Sequence, residues 1–202
     1  MRLKKCVIVS TGSIGVQMLP TYAIEFHSNG IDVKFVMTKA ATAFIKPDVL
    51  EPYGAVITDV IDGQVMREVP HVSLGEWADA IFYMPCSANT IAKLANGICD
   101  NFATLLALTT NSPIAIFPSM NRTMSEKAIT QLNMQSLVDR GYWVDRELKK
   151  GYSVSHRQVE MMLTIPAPKK VLSVFHDLTM GKDLDSSYST GIEMARGEQE
   201  PM

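Results

Sequence analysis

The chain is short of cysteine, of net charge and of long apolar runs, and each shortage excludes something. Cysteine stands only at 6, 86 and 99. Those positions have none of the paired spacings of a metal site, so no metal is expected. An odd cysteine count with no export signal fits a reducing compartment, and a cytoplasmic location is expected. The opening, MRLKKCVIVSTGSIG, is basic and then apolar, as an export signal would be. Its apolar run is only CVIVS, and glycines follow at once, which fits a first β-strand better. No stretch reaches the ~20 apolar residues that cross a bilayer, so no membrane partner is expected. The formal net charge of −2 leaves no broad basic face, and nucleic acid is not a natural partner. The dinucleotide fingerprint G-x-G-x-x-G is also missing, so no nicotinamide or adenine role is assigned.

What is present is a hydrophobic fraction of 47% over 202 residues, enough for one good-sized core. Thirteen methionines suit irregular gaps in such a core. Residues 1–180 are expected to form one domain. The polar, glycine-containing stretch 181–202 is expected to be a disordered tail. Short strands at 5–10, 32–37, 80–84, 113–117 and 142–144 alternate with helices at 16–28, 39–45, 91–97, 101–109, 127–139 and 169–178. Residues 47–53 add a helical turn or two. Asp62-Gly63 signals a reverse turn, and His71 falls in a stretch without clear periodicity, read as a loop. Residues 145–158 are charged and read as a mobile loop. The alternation argues an α/β fold: a single-domain, Rossmann-like (flavodoxin-like) open parallel sheet with helices on both faces.

The stretch AIFYMPCSANTIAKLANGICDN, from Ala80, organises the rest. It reads as a strand, a tight polar turn and a helix. Pro85 at the strand end leaves no ladder donor to satisfy. Ser87, Asn89 and Thr90 can cap the helix behind them or bind a ligand, and helix amides at such a turn suit an anion. In open α/β sheets, ligands lie beyond the carboxyl ends of the strands. The strand ends at Gly12, Thr38, Pro85 and Pro118 are therefore expected to converge on one crevice, holding a phosphate or a flavin. An ordinary connection with a capped helix accounts for the same residues.

Three marks in order resemble one family. They are His71-Val72-Ser73 before the central strand, Pro85-Cys86-Ser87-Ala88-Asn89-Thr90 against a PASANT motif, and Pro118-Ser119-Met120-Asn121-Arg122-Thr123-Met124 against a PxMNxxM motif. VMTKAATAFI, Val36 to Ile45, adds a fourth. The chain resembles the homo-oligomeric flavin-containing cysteine decarboxylases. These include phosphopantothenoylcysteine decarboxylase and the lanthipeptide enzymes that act on a C-terminal peptidyl cysteine.

The resemblance implies FMN, held by Gly12, Ser13, Ile14, Thr38, Phe44, Ser87, Asn89, Thr90 and Met120. It implies His71 and Asn121 as catalytic residues, with Asn121 and Met124 at the substrate. A histidine, ordinarily near pKa ~6.5, suits proton transfer at neutral pH. It further implies a homotrimer or homododecamer, associated with other peptide-modifying enzymes. Two departures matter. Ser125 stands where the family usually has tryptophan. No cysteine follows Cys99, whereas the pantothenate branch carries a late reactive cysteine that reprotonates its product. The expected substrate is therefore a precursor peptide ending in cysteine, oxidatively decarboxylated to an enethiol. The alternatives are phosphopantothenoylcysteine decarboxylation and a non-catalytic flavin-binding regulatory subunit.

Overall fold

The computed structural model describes residues 3–58 and 70–182. The Asp62-Gly63 turn and the tail from 183 onward lie outside them. Within the described residues the main sheet has six strands: β1 (Lys4–Ser10), β2 (Ile31–Met37), β3 (Val56–Thr58), β4 (Ala80–Cys86), β5 (Ile114–Pro118) and β6 (Trp143–Val144). Every pairing is parallel, in the order β3-β2-β1-β4-β5-β6.

Helices cover both faces. On one face α1 (Leu19–Ser28) and α7 (Pro168–Thr179) pack on Cys6, Ile8, Phe82 and Met84. On the other, α2 (Pro70–Trp77), α3 (Ala88–Ala95), α4 (Phe102–Thr109) and α6 (Ala128–Val138) pack on Val7, Val9, Ile81 and Tyr83. Alternate residues of β1 and β4 thus enter opposite cores. That is why both strands read as unbroken apolar runs with no polar face. Phe82 makes an edge contact with Phe26, ring centroids 6.0 Å apart, a geometry that aromatic quadrupoles favour.

Several elements differ from the sequence reading. The helix expected over 16–28 is a 3₁₀ segment, Ile14–Met18, followed by α1. Pro20 has no N–H to return to Val16, so the Val16 carbonyl takes the Leu19 amide instead. The helix expected over 39–45 shrinks to one 3₁₀ turn, Ala41–Ala43. Pro47 holds Lys46 extended and stops it from lengthening. His71 lies in the first turn of α2 rather than in a loop. Only Leu74 and Gly75 of that helix are buried, so it has almost no apolar stripe to read. The charged stretch after Asp145 forms an antiparallel hairpin of β7 (Lys149–Ser153) and β8 (Gln158–Met162). Its strands are short and largely open to water, and Arg157 turns the chain at a φ of 52°. Among the described residues no helix is long and apolar enough to cross a membrane.

Candidate functional site

Parallel strands put all their carboxyl ends on one edge, and the chain winds outward in both directions from β1 and β4. The crevice of such a sheet opens between those two strands. Four loops meet there, and hydrogen bonds tie them together. Thr11, 1% exposed, is the knot between the first and third. Its amide and hydroxyl both donate to the Pro85 carbonyl, at 3.1 and 3.0 Å, and its Oγ1 accepts the Ser87 amide at 2.7 Å. Thr38 donates from its amide to the Ser10 carbonyl at 3.0 Å. Gly12 lies so close to the second loop that a Cβ there would stand 2.8 Å from the Cβ of Ala40. The fourth loop joins through the Ser119 amide, which donates to the Cys86 carbonyl at 2.9 Å, and through a 2.7 Å hydroxyl pair between Ser13 and Ser119.

These bonds join the loops that carry Gly12, Ser13 and Ile14, Thr38, Ser87, Asn89 and Thr90, and Met120 and Asn121, with Phe44 and Met124 in the short helical turns that follow the second and fourth. Ser87 caps α3: its Oγ accepts the Thr90 amide at 3.4 Å. Ser13 caps nothing with its side chain, because its hydroxyl is turned to Ser119. Asn121 caps α5 (Arg122–Ser125), its Oδ1 accepting the Met124 amide at 2.8 Å. That bond orients the side-chain amide and leaves its NH₂ end to donate elsewhere. Ser125, 2% exposed, donates to the Arg122 carbonyl at 2.8 Å, and Gln131 donates to the Ser125 carbonyl at 2.6 Å. These bonds close the spot where the family pattern has tryptophan.

His71 stands apart from this web. Its ring meets Phe102 of α4 edge-on at 6.3 Å, and its carbonyl accepts the Thr109 hydroxyl at 3.4 Å.

Among residues 10–15, 38–44, 86–90 and 118–121, Lys39 is the only charged side chain. An anion here would be held by neutral hydroxyls and amides, as at other helix N-termini and backbone nests. Exposed Ile14 and Phe44 and buried Met120 supply apolar walls. Hydroxyl donors beside apolar walls suit a flavin mononucleotide, which has a polar phosphoribityl chain and a flat ring. Cys86 lies beneath this crevice, where burial pushes its thiol well up, so it stays neutral. A separate cleft of about 350 Å³ lies at the opposite edge of the sheet, lined by Leu3, Lys4, Asp79, Pro113, Leu178 and Thr179.

Thr11 and Ser119 are not among the sequence-predicted site residues, although Ser119 lies in the PxMNxxM stretch and Thr11 directly follows the first strand. Their hydroxyls offered the only signal, and which loops they would bridge depends on strand order. Leu163 was missed altogether. Its carbonyl accepts the Met120 amide at 3.0 Å, which seats the end of the hairpin on the fourth loop.

Fold and loops together define a parallel α/β protein whose hydroxyl-bearing loops converge at its switch point. The family model described as Flavoprotein matches residues 1–176, and the chain belongs to that family. It is 31% identical over 170 residues to the epidermin decarboxylase of Staphylococcus epidermidis, covering 84% of this chain and 92% of that protein. It is 34% identical over 140 residues to the Coenzyme A biosynthesis bifunctional protein CoaBC of Escherichia coli, covering 68% of this chain. The chain spans only 34% of that relative's length. Among solved structures, a variant of EpiD complexed with the substrate peptide DSYTC matches with a TM-score of 0.77 and 29% identity, over 87% of this chain and 99% of that one. The FMN-dependent cysteine decarboxylase SpaF matches with a TM-score of 0.72 and 26% identity, over 88% and 96%.

Proposed function

We propose that this protein binds FMN and oxidatively decarboxylates the C-terminal cysteine of a precursor peptide. The observation that carries the substrate choice is the absence of any thiol after Cys99. Without a late thiol to protonate the product while the reduced cofactor returned its two electrons, the reaction would end at the enethiol. The match along nearly the whole epidermin decarboxylase supports the same choice.

Gly12, Ser13, Thr38, Ser87 and Thr90 would hold the phosphoribityl chain, and Ile14, Phe44, Asn89 and Met120 would face the ring. FMN, when bound, supplies a two-electron acceptor. His71 takes the proton of the substrate thiol as the cysteine is oxidised to a thioaldehyde. The thioaldehyde lies β to the carboxylate and takes up the electron pair released as carbon dioxide leaves. The product is a C-terminal enethiol. Asn121, its Oδ1 already committed to capping α5, donates from its NH₂ end to the substrate carboxylate or amide. Met124, exposed beside it, lines the substrate side. The hairpin of β7 and β8, seated on the fourth loop through Leu163, covers the peptide residues that precede the reacting cysteine.

The deciding experiment offers purified protein a synthetic peptide ending in cysteine and phosphopantothenoylcysteine side by side, with masses recorded. The peptide should lose about 46 Da, one carbon dioxide and two hydrogens. Loss of carbon dioxide alone, or reaction only with the phosphorylated compound, would transfer the protein to the pantothenate branch. The family resemblance supports assembly as a homotrimer or homododecamer with the flavin between subunits. Light scattering should then show a multimer, and a monomer that still binds FMN would contradict it.

A further inference from the structure

The hairpin has little to hold it. Its strands pair with each other, and an isolated two-stranded hairpin is marginal in water. Apart from the contact of β8 with α5, its position depends on its two legs. The second leg rests on the crevice loops and on α1. The Leu163 carbonyl accepts the Met120 amide. Ile165 packs so close to Gly15 that a Cβ there would stand 3.2 Å from its Cδ1. The Pro166 carbonyl accepts the Tyr22 hydroxyl at 2.6 Å.

The first leg hangs on an ion pair. Asp145 follows directly after β6, and its amide donates to the Ile116 carbonyl at 2.9 Å, which fixes it to the carboxyl edge of the sheet. Lys149 opens β7. Its ammonium donates to both carboxylate oxygens of Asp145, at 2.8 and 3.0 Å, and to the Glu147 carbonyl at 2.9 Å. Asp145 is 8% exposed and the Lys149 side chain 17%. A surface bridge is worth little because water and salt compete for both partners. A carboxylate buried this far has lost its water and keeps its cation. In the same stretch Arg146 donates to Gln135 at 2.9 Å and His156 pairs with Glu160 at 3.2 Å. Lys149 thus joins the start of the hairpin to the residue that follows the last strand of the sheet.

We propose that Asp145 and Lys149 are positioning residues for peptide binding. Their ion pair sets the first leg so that the hairpin meets the residues preceding the reacting cysteine. The proposal rests on the peptide-decarboxylase reading. It makes a prediction that a purely structural pair would not, because only a substrate long enough to reach the hairpin can sense its position.

The test uses FMN-loaded protein, a five-residue peptide ending in cysteine, and a minimal N-acetylated dipeptide ending in cysteine. Asp145→Asn should raise KM for the longer peptide about tenfold, with kcat held within about twofold. The kinetics of the short substrate and the affinity for FMN should stay unchanged. Lys149→Gln, which breaks the pair from the other side, should do the same, and Asp145→Glu should recover much of the loss. Trypsin should also cut faster at Lys150 and Arg157 in both loosened variants. An equal rise in KM for both substrates, a parallel loss of FMN affinity, or an unchanged KM despite faster cutting would overturn the proposal. If the unsubstituted protein turns over while Asp145→Asn is indistinguishable from it, this proposal fails and the decarboxylase reading stands. If the unsubstituted protein turns over neither substrate, both fall together.

Discussion

His71→Asn is expected to lower turnover by about 10²- to 10⁴-fold, the usual weight of a positioned general base, while the protein keeps its yellow colour. Asparagine preserves a polar side chain of similar reach but has no group that accepts a proton near neutral pH. The backbone role of His71, accepting the Thr109 hydroxyl, does not depend on the side chain. The imidazole packs edge-on against Phe102 and takes no part in the hydrogen bonds that join the four crevice loops. Flavin loading and thermal stability should therefore hardly change. Absorbance of the bound flavin after mixing with a cysteine-terminated peptide gives the check. The oxidised spectrum should bleach rapidly in the unsubstituted protein and very slowly in the variant. Bleaching at the original rate would place the base elsewhere. Loss of the colour itself would make His71 a residue that holds the site together.

Gly54→Ala should cost about 3 kcal/mol or more. Gly54 sits at a φ of 155°, and a Cβ there would lie 2.0 Å from the Val33 carbonyl oxygen. Since that oxygen belongs to the backbone of β2, the clash cannot be relieved by a side chain swinging away. The chain must move, and what it would move is the start of β3. There the Phe35 amide donates to the Ala55 carbonyl at 2.9 Å, and Phe35, Val36 and Met37 pair with Val56, Ile57 and Thr58. For a domain of this size such a loss lowers the melting temperature by on the order of 10 °C. Flavin affinity should fall with it, because β2 leads directly into Thr38, whose amide is tied to Ser10 in the crevice. Circular dichroism melts and a fluorescence titration with FMN measure the two effects. An unchanged melt would show that the Gly54 backbone relaxes to a conformation open to alanine.

The parallel sheet was legible in the sequence because its strands are buried on both faces. CVIV, AIFYM and IAIF are apolar throughout, and proline or hydroxyl residues stop each of them sharply. The turn after β4 was legible for a similar reason. A serine placed to cap a helix, as Ser87 caps α3, leaves a local signature that needs no distant partner. Asn101 does the same for α4, its Oδ1 accepting the Thr104 amide at 2.9 Å. Length, composition and the strand-end motifs together determined an α/β protein with a ligand crevice at one edge.

What only the tertiary structure decided is who meets whom across that edge. Ser13 and Ser119 are 106 residues apart and touch because β4 lies between β1 and β5 in the sheet. Thr11 holds the third loop because it directly follows β1, the strand beside β4. The hairpin was unreadable because an alternation of short polar and apolar residues, open to water, looks like a loop until it finds something to pair with. Lys149 and Tyr152 gain that pairing from Met162 and Val159, and the leg gains its seat from Asp145 and Met120. Sequence fixes what is local or fully buried, since capping bonds and apolar runs carry their own free energy. Contacts between loops draw theirs from partners that the strand order brings together, and that order is a property of the folded chain.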